Sequence, residues 1–327
     1  MRLVEHFKRL SSFAKFAWFL VAYNILVIIW GAFVRASKSG DGCGSHYPLC
    51  DGINIVPLNP TIATVIEYLH RVTTGLDGVL VLALVIWAFL VFAKGQQARR
   101  TAVLSFIFIL TEGAIGAFLV KFELVANNIS VNRALTMSFH LVNTLILLFF
   151  LSLTAWFASG GKSINWRGNE RRAIFLGLGL FLVVMVGMSG AVAALGNTLF
   201  PGRELSEALN QPDVPIIVKA FVWLELWHPF LSVVTGIYLI AFIQPLRQLR
   251  NDEWTRRFAT YTLLIIGGQI IFGVLTLILL APVWMQLIHL LLAESLWIAL
   301  VLLSASALSA PSLTARSTNE NFVRSAI

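Results

Sequence analysis

Residues 67–92 read EYLHRVTTGLDGVLVLALVIWAFLVF. The apolar run that fills most of this stretch is long enough to cross a bilayer, since about 20 such residues span the hydrocarbon as a helix. Its outer mouth carries Glu67, His70 and Arg71 within five residues. An ionisable side chain deep in a membrane helix costs roughly 2.5–3.5 kcal/mol on insertion scales. Three together point to a polar interior that the helix faces, and so to function.

Seven further runs resemble it. The spans fall near 16–35, 61–93, 101–121, 132–157, 172–195, 216–244, 256–280 and 283–308. Of 327 residues, 58% are hydrophobic and 12% charged, about half the charge of a soluble domain. The fold class is therefore an all-α integral membrane protein with eight transmembrane helices. The net charge of +8 lies in short loops and does not imply nucleic acid. Lys94, Arg99, Arg100, Lys162, Arg167, Arg171 and Arg172 belong to one side, with Arg247, Arg250 and both basic ends of the chain. The other side has few cations, so the positive-inside rule makes both termini cytoplasmic. The outer loops are 36–60, 122–131 and 196–215. The tail after Pro311 is polar, as disordered segments are.

The chain repeats itself about the basic loop 158–171. GAFVR (31–35) answers GAVAA (190–194), and Glu67-x-x-His70 answers Glu225-x-x-His228. Glu112-x-x-x-Gly116 answers Gln269-x-x-x-Gly273, and His140 in SFHLVNTLILL answers His289 in LIHLLLAESLW. The expected organisation is two tandem, similarly oriented four-helix bundles. These are residues 1–157 and 172–308, joined by the linker 158–171 and followed by the tail 309–327.

Of six histidines, His6 and His46 lie outside the spans. His70, His140, His228 and His289 occupy one even-numbered span each, roughly 9–18 Å below its outer end at 1.5 Å per residue. Two parallel helices per half thus present imidazoles at similar depth in the outer leaflet, an arrangement that can bind haem iron from both sides. One such histidine alone is as well explained by a hydrogen bond between helices; four at matched depth in a repeat are not. Zinc lacks a completing thiolate or carboxylate in either half.

Glu67 has two readings, an i,i+4 ion pair with Arg71 or a base beside a haem edge. In the second half Pro229 follows His228 where Arg71 follows His70, so the two sites differ in chemistry. Cys43 and Cys50 bracket a compact loop that a disulfide can close, either as a staple or as an electron-exchanging thiol pair. Arg35 ends the first span, where it can meet a haem propionate or lipid headgroups.

The chain resembles the haem A synthase family. The resemblance rests on GAFVRASKSGDGCGSHYPLC (31–50), EYLHR (67–71), the segment 112–116, His140 in FHL, and 269–297 with its QLIHLLLAESLW, and runs from about 17 to 305. It implies oxidation of a ring methyl of haem O to a formyl group, through a hydroxylated intermediate, to give haem A for terminal oxidases. It further implies a substrate haem between His70 and His140, with Glu67 as the carboxylate the reaction needs. A resident haem b would lie between His228 and His289, and Cys43 with Cys50 would form the outer-loop pair. The implied partners are haem O, haem O synthase, an electron acceptor that the sequence does not identify, the lipid bilayer, and a second copy in a homo-oligomer. The short N-terminus favours a bacterial plasma membrane. Many members carry a second cysteine pair in the outer loop of the C-terminal half, and 195–215 has none. An electron-transfer cytochrome with two bis-histidine haems, and a haem carrier, are the rival readings.

Overall fold

A computed structural model describes residues 9–50, 57, 59–199, 216–249 and 252–309; within 216–226, and at 249, it describes the backbone alone. Eight helices and no strands occur among the described residues, all eight long and apolar enough to cross a membrane. They are α1 (Ser12–Ala36), α2 (Ile62–Val91), α3 (Gln97–Lys121), α4 (Val131–Ala158), α5 (Glu170–Leu199), α6 (Ile216–Leu249), α7 (Glu253–Ile278) and α8 (Val283–Ser309). The chain is a multi-pass membrane protein.

Several helices begin on a hydroxyl or carboxylate that accepts one of the free N–H groups of the first turn. Ser11 accepts from Ala14, Thr61 from Thr64, Ser130 from Arg133 and Asp252 from Thr255. The helices outrun the apolar stretches that announce them. α5 continues to Leu199, into what the sequence suggests is outer loop, and α6 runs to Leu249 across Pro229 and Pro245. A proline removes one N–H from the ladder, and packing within a bundle carries the helix past it.

The packing closes into two rings. α1–α2–α3–α4 meet in sequence and α4 returns to α1, while α5–α6–α7–α8 meet in sequence and α8 returns to α5. Contacts of α4 with α5 and α8, and of α1 with α5 and α8, join the rings. Burial follows this plan: 61% of the apolar window of α4 is buried and 44% of that of α8, against 11% for α7 at the rim. α8 serves both cores. Ile298, Val301 and Leu302 pack with Leu148 and Leu151 of α4, whereas Leu300 and Leu303 pack with Leu176, Leu239 and Ile243. Its segment LLSASALS is rich in small side chains, which let helix backbones approach closely inside a bilayer.

Polar bonds tie the same seam. Trp297 Nε1 donates to the Leu145 carbonyl at 2.7 Å within the buried contact of α8 with α4. Several sequence expectations fall outside the described residues: Glu225 as a side chain, most of the outer loop 196–215, residues 1–8, and the tail from 310 onward.

Candidate functional site

The loop that carries Cys43 and Cys50 is fastened to α2 by the residues that open the sequence argument. Cys43 and Cys50 form a disulfide. Gly42 lies so close to the Ala63–Thr64 backbone that any Cβ would collide with it, and the Thr64 hydroxyl donates to its carbonyl at 2.7 Å. Gly44 takes a left-handed φ of 64°, open to glycine without strain. Glu67, 4% exposed, accepts the Cys43 N–H at 2.8 Å through Oε2. Its Oε1 accepts from Arg71 Nε at 3.1 Å and Nη2 at 2.6 Å. Arg71 Nη1 in turn donates to the His46 carbonyl at 2.6 Å, within the cysteine loop. The ion pair expected on a helix surface is thus buried, and it holds the disulfide loop down on the helix that carries His70.

The four histidines are half-buried. His70 and His140 lie within electrostatic reach of each other, as do His228 and His289. None of the four makes a hydrogen bond through Nε2 among the described residues, and His70 and His289 bury Nδ1 without a partner. Three of the rings rest against glycines. A methyl at Gly31 would stand 3.0 Å from His70 Cε1, one at Gly190 2.8 Å from His228 Cε1, and one at Gly273 3.4 Å from His289 Cε1. The repeated GA motif of α1 and α5 therefore makes room for an imidazole edge, which was not evident from its composition. Paired imidazoles with Nε2 uncommitted and rings held by glycine fit a bis-histidine haem. No group of three or more His, Cys, Asp or Glu that could hold a simple metal ion occurs among the described residues.

Arg35 is taken up by the other half. Its Nη1 donates to the Ala194 carbonyl at 2.5 Å and to Thr198 Oγ1 at 2.7 Å, and its Nη2 to Gln286 Oε1 at 3.1 Å. The ends of α1, α5 and α8 meet there.

Two further carboxylates lie in the membrane interior without having stood out in the sequence. Asp77 (1% exposed) accepts from Asn24 Nδ2 at 3.0 Å, and Glu294 (1% exposed) leaves Oε2 unbonded. Glu112 of α3 is bonded by two side chains of α4. Asn143 Nδ2 donates to its Oε2 and the Thr144 hydroxyl to its Oε1, each at 2.5 Å, and His140 Nδ1 stands 3.3 Å from Oε1. A signal was available: Asn143 and Thr144 follow His140 by three and four residues, on one helix face.

The sequence matches known proteins. The family described as cytochrome oxidase assembly protein, COX15-CtaA, matches residues 14–301. A protein of Thermus thermophilus named protoheme IX farnesyltransferase is 43% identical over 298 residues, 91% of this chain and 49% of its own length. A heme A synthase of Exiguobacterium sp. is 34% identical over 188 residues, 58% of this chain and 60% of its own. A heme A synthase of Geobacillus kaustophilus is 28% identical over 284 residues, covering 83% and 85%. The chain thus spans about half the length of the Thermus relative, whose name describes a protein with as much sequence again beyond the match. On the family match over nearly its whole length, the chain belongs to the COX15-CtaA family of cytochrome oxidase assembly proteins.

Proposed function

We propose that the chain is a haem A synthase: it oxidises the ring methyl of haem O to a formyl group, through a hydroxylated intermediate, and so makes haem A for terminal oxidases. The observation that carries this is the duplicated pair of uncommitted imidazoles, His70 with His140 and His228 with His289, in a chain of this family. The N-terminal half, 1–157, takes the substrate haem between His70 and His140. The C-terminal half, 172–308, keeps a haem b between His228 and His289, which supplies a one-electron store. Heme A synthases among the relatives support the substrate assignment.

This chain's own residues then have distinct tasks. His70 and His140 orient the substrate, and Gly31 lets the His70 ring seat against α1. Glu67 is the carboxylate the reaction needs. Because both its oxygens are engaged, it acts from a fixed position, coupled to the loop of Cys43 and Cys50. That loop covers the outer mouth of α2 and limits access of water. Arg35 is a propionate contact that shares its guanidinium with Thr198 and Gln286. The cation bias of the loops supports cytoplasmic termini, and with the depth of the histidines it supports haem sites in the outer leaflet half. Haem O synthase is the proposed donor of substrate, a reading the Thermus relative's name supports.

The test is haem extraction from a host that makes haem O but not haem A. Haem A or its hydroxylated precursor, identified by mass and absent without the intact chain, is the expected result. Unaltered haem O and haem B alone, from protein shown to be folded, would transfer the chain to the cytochrome or carrier class.

A further inference from the structure

Three of the four histidines have a glycine against the ring edge, and the fourth does not. Gly116 stands where Gly273 stands in the repeat, yet a methyl on it would meet nothing within 4 Å. His140 is held differently. Its Nδ1 lies 3.3 Å from Glu112 Oε1, at ion-pair distance though without hydrogen-bond alignment. The carboxylate is fixed without help from His140. Asn143 and Thr144 donate to its two oxygens, and Asn143 is itself steadied by the Thr111 hydroxyl at 2.6 Å and the Phe108 carbonyl at 2.9 Å.

The other half has no anion at the matching position. The counterpart of Glu112 is the neutral Gln269, and His289 Nδ1 has no partner. The partnered histidine there is His228, whose Nδ1 lies 3.0 Å from the Ser189 hydroxyl, a neutral group. Each pair thus has one imidazole supported at Nδ1, by a carboxylate in the N-terminal half and by a hydroxyl in the C-terminal half. A carboxylate on the outer nitrogen of an iron-bound imidazole fixes its tautomer and rotation and makes it a stronger electron donor. A hydroxyl does the first with little of the second.

We propose that Glu112 is the positioning residue of the N-terminal haem site: it orients His140 and strengthens it as an axial ligand, so that the haem held there is harder to reduce than the one held by His228 and His289. This rests on the bis-histidine reading above. A haem whose oxidised iron is stabilised by its ligands suits the half that must give up electrons from a ring methyl. The C-terminal half, with Gln269 in that place, suits accepting them.

The experiment is an optical redox titration, with low-spin EPR, on the full-length protein purified with its haems. The variants are Glu112→Gln, Thr144→Val, Ser189→Ala and His140→Ala. Glu112→Gln keeps shape and a hydrogen-bond acceptor but removes charge. It is expected to raise the potential of one haem wave and widen the spread of that haem's g values, leaving the other haem unchanged. Thr144→Val loosens the carboxylate without removing it and is expected to move the same wave the same way by less, which keeps the test open if Glu112→Gln does not fold. Ser189→Ala is expected to move only the other wave. If the wild type supplied with haem O holds a single haem, or His140→Ala treated in the same way retains both, the bis-histidine reading fails. If the wild type holds two and His140→Ala loses one, but neither Glu112→Gln nor Thr144→Val shifts its wave or its g values, the role of Glu112 alone is overturned.

Discussion

The two halves share a ring of four helices, a GA motif and an imidazole pair, and they differ in what surrounds the pair. Around His70 and His140 are Glu67, Arg71, Glu112 and a disulfide loop. At His228 the Ser189 hydroxyl stands beside the ring, Gln269 takes the place of Glu112 in the repeat, and Glu225 answers Glu67 with its side chain outside the described residues. Under the proposed function, the repeat supplies two similar cradles, and Glu112 in one of them would make the chemistry unequal.

The comparison breaks most sharply at the ligands. His70→Ala or His140→Ala is expected to abolish haem A formation and remove one haem of two, measured by extracted haem per protein. His228→Ala is expected to remove the other haem while His70 and His140 still bind substrate. Loss of both haems from any one variant would mean that the halves do not bind independently.

Next is Glu67. Glu67→Ala leaves the Arg71 guanidinium, which is 9% exposed, without its partner, a change that costs about 3–5 kcal/mol for a buried pair. Protease cleavage within 39–50 should accelerate more than cleavage in loop 122–131. Equal rates would show that Glu67 does not hold the cysteine loop.

The cradles give a finer test. Gly190→Ala places a methyl 2.8 Å from His228 Cε1 and should lower occupancy of the C-terminal haem, with Gly31→Ala doing the same in the N-terminal half. Gly116→Ala should bind haem as the wild type does, because nothing stands near it. A loss at Gly116 equal to that at Gly190 would remove the distinction drawn for His140.

The smallest effect is expected from the disulfide. Loop-closure entropy gives the Cys43–Cys50 link about 2–3 kcal/mol, part of which Glu67 and Arg71 retain when Cys50→Ser opens it. Thermal unfolding should shift down by a few degrees, while the haem content stays at two. Loss of haem would assign the loop a part in binding.

Much of this was legible in the sequence for physical reasons. Long apolar runs have few alternatives to a membrane helix, so all eight were plain, and the differences lie at helix ends: α5 and α6 run past their expected limits, and α1 and α3 begin earlier than expected, at Ser12 and Gln97. Histidines at matched depth pointed to the proposed haem sites. What the sequence hid depends on distant partners. Nothing in GAFVR says that Arg35 will meet Thr198 and Gln286, and nothing local to Glu112 says that α4 supplies its donors. The buried state of the Glu67–Arg71 pair likewise depends on a loop that folds back from residues 42–50.

The Arg35 clasp has a consequence for the order in which the protein is made. Gln286 lies 251 residues after Arg35, and Thr198 lies 163 after it. Chains emerge N-terminus first at roughly 5–20 residues per second, so Arg35 waits tens of seconds in the translocating chain before its last partner arrives. During that interval the Arg35 guanidinium lacks its contact with α8. The clasp is complete only when the last helix is in place, so a chain truncated before α8 would leave α1 without its Gln286 contact.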